Sequence, residues 1–532
     1  MEIVVNNLTL KIYEKEDVLK ERLFSFLSVD KKYIESYKIV KKAIDARKKN
    51  SLLYVYSLRV ILNKDFDFSN NKNVKLYDSK KDEYIIPLLK SDNRPVVVGL
   101  GPCGLMSAYY LANAGLKPIV IEMGKDVDAR IKDVENFKNG GSFNPRSNVC
   151  FGEGGAGTFS DGKLMTGIKD DRIRFILDTL IEYGAPKEIG YLAHPHIGSD
   201  NLRNVVKNIR NKIISLGGEV YFEHKFIDFE TVDNKVSKIK VLDLKTNEIK
   251  EFITDDLILA IGHSSRDTFK LLLDKKVTIN PKPFSIGVRL EMLQEEVNIA
   301  QYGKNNLKYN LPPAEYKIVT HLPNGRGVYS FCMCPGGEVV ASNTEENSIL
   351  VNGMSYFKRD LENANSAILV SVNVEDYYKG NPLDGMYFQE SIEKKAFNKE
   401  YPYYAPIQLV GDFINRRKST RIGKIIPSYK PGYYFASLDD ILPSFIAESL
   451  RDGLISLGNK LTSIKNEDNI LTGVETRSSS PIHILRDENG QTNIKGIYPC
   501  GEGASYAGGI TSSMVDGLRV GEFIKNKYQG GN

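Results

Sequence analysis

Residues 95–122, PVVVGLGPCGLMSAYYLANAGLKPIVIE, decide the fold. They read as a buried strand, a glycine turn, a helix and a second buried strand that ends in an acid. Gly99, Gly101 and Gly104 have the GxGxxG spacing, with Pro102 and Cys103 inside it. The first glycine lets the chain turn, the second lets the backbone approach a pyrophosphate, and the third lets helix and strand pack closely. The helix start adds free N–H groups and a positive dipole end. Glu122 closes the second strand, where a carboxylate can accept hydrogen bonds from ribose hydroxyls and repel a 2′-phosphate. A lone glycine motif is weak, but here strand, helix, strand and acid all fall in register, which points to a dinucleotide.

Three further segments share this character. Residues 494–524, IKGIYPCGEGASYAGGITSSMVDGLRVGEFI, read as a short strand, a glycine-rich loop and a helix. Residues 255–267, DDLILAIGHSSRD, are an apolar strand ending in Ala260-Ile261-Gly262. Residues 148–164, NVCFGEGGAGTFSDGKL, place five glycines around Thr158 and Ser160. Each alone could be a flexible loop or a buried strand with a terminal glycine. A domain for a nicotinamide dinucleotide has no need of a second glycine site so far downstream.

Together these segments carry a family resemblance, with EMGKDVDARIKDVENF (122–137), HPHIGSDNL (194–202), GRGVYSFCMCPGGEVV (325–340), NGMSYFKRD (352–360), ANSAILV (364–370) and TGVETRSSSPIHILR (472–486). The chain resembles the bacterial FAD-dependent dehydrogenases of undefined substrate, within the wider succinate dehydrogenase/fumarate reductase and geranylgeranyl reductase group. The resemblance covers nearly the whole chain and implies non-covalent FAD. It implies cofactor contacts at Met123, Gly124 and Arg130, along the loop Gly154, Gly155, Ala156, Gly157 and Thr158, and at the closing Ala260 and Gly262. It also places the backbone near Phe226 against the adenine and Glu502 against the ribityl or pyrophosphate part. Gly501, Gly508, Gly509 and Ile510 would lie at a helix start facing the flavin pyrimidine edge, where N–H groups stabilise the charge of a reduced flavin.

The expected fold is therefore α/β. A glutathione-reductase-type (Rossmann-like) FAD-binding domain spans residues 91–280 and returns at 491–532. An inserted α+β substrate or capping domain fills 281–490, and a small α+β domain, of ferredoxin-like type, occupies 1–90. In that first module, residues 3–12, 37–46 and 52–62 alternate as strands and 16–27 have helical periodicity. Residues 69–84, SNNKNVKLYDSKKDEY, read as a polar linker or loop. A helix pair is expected around 200–216 and a β-meander over 219–252. No second GxGxxG with a following acid lies between Gly262 and Ile494, so NAD(P)H is expected to visit only transiently, or another carrier supplies the electrons.

Composition bounds the class. A chain of 532 residues can bury a large core, and its formal charge of +5 does not call for nucleic acid. Five scattered cysteines do not form a disulfide framework, and the first residues carry no signal pattern. No apolar run is long enough to cross a bilayer, so the expectation is a cytoplasmic protein. Its expected partners are a small-molecule substrate and, as an electron source or sink, a carrier protein.

FAD does the hard chemistry while the protein orients substrate and moves protons. Polar groups in loops beside the proposed flavin site are His263, Arg266, Arg289, Arg326, Arg477 and Tyr506. Of these His263, Arg326, Arg477 and Tyr506 are taken as catalytic candidates, with the two arginines binding a substrate carboxylate or protonating a nearby carbanion. His194 and His196 flank a proline in a turn and no further His or CxxC set supports a metal, so none is expected. Cys332 and Cys334 would share one face of a strand beside the flavin, a redox candidate set against a simple core strand. The reaction expected is oxidation or reduction of a small organic substrate by hydride transfer at flavin N5. Two other readings are an FAD-dependent RNA-modifying protein that holds RNA on the basic run 41–50, and a flavin-binding protein without turnover.

Overall fold

The computed structural model describes residues 1–78 and 83–529. A five-stranded parallel sheet orders Ile497–Pro499, Leu257–Leu259, Val96–Val98, Ile119–Glu122 and Glu219–Phe222. The first four are buried on both faces and so read as apolar runs without alternation, while the edge strand Glu219–Phe222 is half-buried. Val97, Val120, Ile258 and Tyr498 meet a layer that includes helices Pro102–Asn113, Ser199–Ser215 and Ile510–Gln529. Val96, Val98, Ile119, Ile121, Leu257, Leu259 and Ile497 meet an antiparallel meander of His224–Val232, Lys235–Asp243 and Ile249–Ile253. Residues 199–215 form one continuous helix in place of the expected pair, since no glycine or proline interrupts it.

The chain crosses into its largest sheet at Ile279–Pro281 and comes back at Ile482–Ile484, and these two short strands pair antiparallel. Between them seven strands take the order Val319–His321, Gly327–Cys334, Asn363–Val372, Phe284–Leu293, Ile470–Glu475, Ala405–Leu409 and Tyr433–Phe435. Helix Ser444–Lys460 covers one face through Ile446, Leu450, Leu454 and Leu457.

At the N-terminus, strand Leu53–Leu62 lies between Ile34–Asp45 and Glu2–Lys11, with helix Val18–Leu27 connecting the outer two. This is a split βαβ arrangement. Residues 63–73 form a loop where a ferredoxin-like module would carry its second helix. Part of the expected linker over 69–84 is a strand: Val74–Leu76 pairs with Ile3–Val5, and residues 79–82 lie outside the described residues. The lysine-rich strand does not end in solvent, because Lys42 N–H donates to the Tyr191 carbonyl and Ala193 N–H to the Lys42 carbonyl. Lys42 and Arg47 also pair with Glu16 and Asp45, so part of the basic run is neutralised internally. Among the described residues no helix is long and apolar enough to cross a membrane.

One contact fixes the first turn. A Cβ on Gly104 would stand 1.9 Å from the Gly99 carbonyl oxygen, and one on Gly99 would stand 2.3 Å from that of Ala260. We expect Gly104→Ala to cost about 1–3 kcal/mol or more by overpacking. Chemical denaturation would report it, and an unchanged midpoint would contradict the contact.

Candidate functional site

Five chain segments meet at the C-terminal edge of the parallel sheet. Gly155, at φ +60°, brings its Cβ position to 3.0 Å from the Gly101 Cα, and Gly157 abuts Pro102 and Ile510. Gly503 abuts the Gly262 carbonyl, and Gly501 abuts Cys103. Around this junction the chain stays half-exposed at Gly101, Pro102, Met123, Gly155, Ala156, Gly157, Gly262, His263, Glu502 and Tyr506, while Gly508 and Gly509 are open. Nothing stands within 4 Å of a Cβ position on Gly262 or Gly508. The result is a crevice walled by bare backbone, the lining that a pyrophosphate and a flat ring system require.

Other expected contacts lie inside the walls. Cys103, Gly104, Gly124, Gly154, Thr158, Ala260, Gly501 and Ile510 are buried, and Phe226 packs beneath the sheet against Phe229. Glu122 accepts N–H bonds from Leu100 and Gly124 at 2.8 Å and from Gly152 at 3.1 Å. Three of its roughly four acceptor positions are thus taken, leaving one on Oε2 for a ribose hydroxyl.

Arg130 takes a different role from the cofactor contact expected of it. It is fully buried, and its guanidinium donates to the carbonyls of Asn148, Glu153, Val149 and Gly155 at 2.6–2.9 Å. Burial lowers its pKa to about 10, with the nearby Glu122 carboxylate opposing. Arg130 shapes the glycine loop from within and has no reach into the crevice.

Two catalytic candidates are spent elsewhere. Arg326 closes a two-armed ion pair on Asp376 at 2.6 and 2.8 Å, donates to the Ser371 carbonyl and lies over Phe445, at the edge hairpin of the large sheet. The Tyr506 hydroxyl accepts from Arg486 N–H and donates to the Ile484 carbonyl, with the Arg486 guanidinium 3.6 Å from its ring centre. Neither side chain is free to meet a substrate.

His263 and Arg477 do come together, through a residue the sequence did not single out. Glu393, on helix Asp384–Lys395, is fully buried and receives Arg477 Nε at 2.8 Å and Nη2 at 2.6 Å. Arg266 Nη2 reaches the same carboxylate at 3.0 Å, and Thr476 Oγ1 donates to it at 2.5 Å. Burial alone would raise the Glu393 pKa, but Arg477 and Arg266 hold it near 2. With its fork on Glu393 and Thr344, Arg477 positions the site and does not bind a substrate carboxylate. Glu393 sits among surface-type charges in SIEKK, so nothing local marks it.

His263 stands half-buried at the crevice, with Ser264 Oγ 3.0 Å from its Nδ1. Burial, then the Arg477 and Arg266 charges, push its pKa down to about 4, so the imidazole is neutral at physiological pH. Burial raises Glu502 to about 7, with the Lys282 charge opposing.

The cysteine pair departs from simple alternation. The pairing register shifts between Phe331 and Cys334, and Cys332 takes φ +42°. Cys332 is therefore exposed while Cys334 is buried, 3.5 Å from an Arg289 nitrogen that also bonds the Cys332 carbonyl. The other Arg289 arms go to Asn365 and Glu475. His194 meets the Glu315 carboxylate and His196 the Phe357 carbonyl, so the two rings turn to different partners.

Removing Glu393 would leave two buried guanidiniums facing each other. Glu393→Gln should cost about 3–5 kcal/mol. The Glu393 pKa lies below its unfolded value, so its stabilisation is present above about pH 4.5 and lost as pH falls toward 2. The gap in melting temperature between wild type and variant should therefore narrow from pH 5 downward, and a gap that stays constant would contradict the pairing.

Residues 283–478 match the family described as "FAD-dependent protein, C-terminal domain-like", and residues 2–61 match a domain of unknown function. An uncharacterized protein from Clostridium beijerinckii is 45% identical over 542 residues, covering 99% of both chains. Similar solved structures include a geranylgeranyl bacteriochlorophyll reductase-like protein from Thermoplasma acidophilum at 13% identity, covering 82% of this chain and 79% of that one, TM-score 0.37. A flavoprotein/dehydrogenase from Cytophaga hutchinsonii is 12% identical, covering 83% and 79%, TM-score 0.37. A flavin-dependent brominase is 13% identical, covering 83% and 80%, TM-score 0.38. With a relative aligned from end to end, the family match inside it and a crevice of bare backbone to receive the cofactor, the chain belongs to the FAD-dependent proteins.

Proposed function

We propose that the chain is a dehydrogenase or reductase that holds FAD non-covalently and acts on a small organic substrate at the mouth of the crevice. The observation that carries this reading is the crevice of bare backbone at Gly101, Gly155, Gly157 and Gly262, with His263 beside it and its Nε2 unpartnered among the described residues. When bound, FAD supplies a two-electron acceptor or donor at N5. Gly101, Gly155 and Gly157 would receive the pyrophosphate, and N–H groups of the first turn of helix Ile510–Gln529 would stabilise charge on a reduced flavin.

In this reading His263 acts as a hydrogen-bond donor. Ser264 Oγ–H to Nδ1 leaves the ring proton on Nε2, which polarises a substrate oxygen much as a neutral imidazole does in other enzymes. Burial, then the Arg477 and Arg266 charges, keep the ring uncharged, and Ser264 Oγ is its hydrogen-bond partner. NAD(P)H as a passing electron donor and a carrier protein as partner both fit a chain without a second dinucleotide motif.

The first test is an anaerobic absorbance spectrum before and after adding NADH or NADPH. Flavin bands that bleach quickly identify a pyridine-nucleotide-dependent reductase. Bands that persist direct the search to organic donors. A colourless protein that FAD does not reconstitute would overturn the reading. Once turnover is found, His263→Ala should keep the flavin spectrum and lose about 10²-fold in kcat/KM, the usual effect of deleting one oxyanion donor. With FAD saturating, any inflection of the wild-type profile near pH 7 should vanish in Glu502→Gln, because the His263 ring titrates near 4.

Glu502 gives a second prediction. Its folded pKa, about 7, is raised above the unfolded value, so the acid is neutral at low pH and ionises as pH rises through 7. In this reading the new charge would stand beside the ribityl or pyrophosphate part of FAD and oppose the pyrophosphate. The FAD dissociation constant should increase between pH 6 and 8 in wild type and stay flat in Glu502→Gln. Equal pH dependence in both proteins would remove Glu502 from cofactor binding.

A further inference from the structure

The glycine loop has a second side. Gly155 and Gly157 face Gly101 and Pro102, whereas Asn148, Val149 and Phe159 of the same loop line a separate cavity of about 310 Å³. Its apolar walls include Phe137, Phe159, Val340, Met354 and Tyr356, and exposed Glu135, Asn139 and Lys430 stand at its rim. The volume falls at the small end of the range for ligand pockets.

Several charges around this cavity are already paired. Lys138 meets Glu338 at 2.6 Å, and Lys125 meets Asp133 at 2.9 Å. Exposed Glu135 and Lys430 at the rim have no ion pair among the described residues, and neither has the half-buried Arg203 on helix Ser199–Ser215. Its guanidinium lies 4.8 Å from the Phe159 ring centre, and among the described residues it has neither an ion pair nor a hydrogen-bond acceptor. Its Nε is buried without a partner. Ser147 lines the same cavity at 2% exposure, and its Oγ is also buried without a partner. Buried donors in native proteins are almost always satisfied, so a cavity that holds two orphans is missing a group that accepts from both.

We propose that this cavity binds a small aromatic carboxylate, its carboxylate on Arg203 and Ser147 and its ring among Phe137, Phe159 and Met354. One unpaired guanidinium calls for one negative charge. At the rim Lys430 and Glu135 offset each other, so the site matches one negative charge better than the two of a phosphate dianion. A planar carboxylate also matches the guanidinium fork. The aromatic and thioether walls supply the contacts a flat ring favours. Occupancy would press on Phe159 and Val149, and Arg130 stands 4.7 Å from the same ring while holding the crevice side of the loop. The site thus adjoins the FAD crevice without sharing its glycine wall, and the proposal stands independently of the substrate reading.

Benzoate is the probe, titrated by calorimetry into the FAD-loaded full-length chain. Saturable binding at one site is expected, with FAD absorbance unchanged. Arg203→Gln should weaken it about tenfold or more through loss of the charge-assisted pair, and Ser147→Ala by about threefold. Benzyl alcohol, the same ring without the charge, should bind at least about tenfold more weakly than benzoate. If Arg203→Gln fails to fold, the Ser147 variant and the benzyl alcohol comparison still decide. Equal benzoate affinity in wild type and Arg203→Gln would overturn the proposal. So would equal affinity for the two probes, displacement of FAD, or no saturable binding up to about 10 mM, a free energy too small for a built site.

Discussion

The structure depends on a backbone contact that tolerates no side chain. Gly104 packs its Cα onto the Gly99 carbonyl, and Gly99 packs onto Ala260, so the first helix, the first strand and the closing strand converge within one van der Waals layer. Everything at the sheet's C-terminal edge is built outward from there. Gly155 settles over Gly101, Gly501 over Cys103 and Gly503 against Gly262, each possible only because the layer beneath is flush. The long C-terminal helix joins by the same means. A Cβ on Gly517 would stand 2.4 Å from the Cys103 carbonyl, and one on Gly521 2.4 Å from the Tyr110 ring.

Around this junction two buried arginine systems do structural work that their charge does not advertise. Arg130 donates only to carbonyl oxygens and so converts a flexible glycine loop into a rigid wall. A guanidinium is suited to this because its donors fan out in a plane that several carbonyls can share. The Arg266–Glu393–Arg477 block ties the closing loop of the FAD domain to helix Asp384–Lys395 of the inserted region. Burial first, then the Arg477 and Arg266 charges, keep the half-buried histidine at the crevice neutral.

Much of this was legible locally. A glycine that must admit a carbonyl, an apolar run buried on both faces and an acid at a strand end each reveal themselves within a few residues. The crevice wall was therefore readable at Gly99, Gly101, Gly104, Gly155 and Gly262. The roles of the arginines were not, because an arginine's function is set by its partner. Asp376 lies 50 residues from Arg326, and Glu393 lies 84 from Arg477. The cysteine pair failed for a related reason: one bulge at Cys332 rotates the strand, and alternation assumes there is none.

From the chain alone came the fold class, the dinucleotide and the glycine positions, since backbone clearance is a property of residue type that no partner alters. Folding decided which polar side chains remain free. Ion pairing is a contest among all charges brought within a few ångströms, and its winners depend on helices and strands far apart in the chain. Folding also half-buried His263, which keeps it uncharged at the crevice, and left Arg203 without a partner among the described residues.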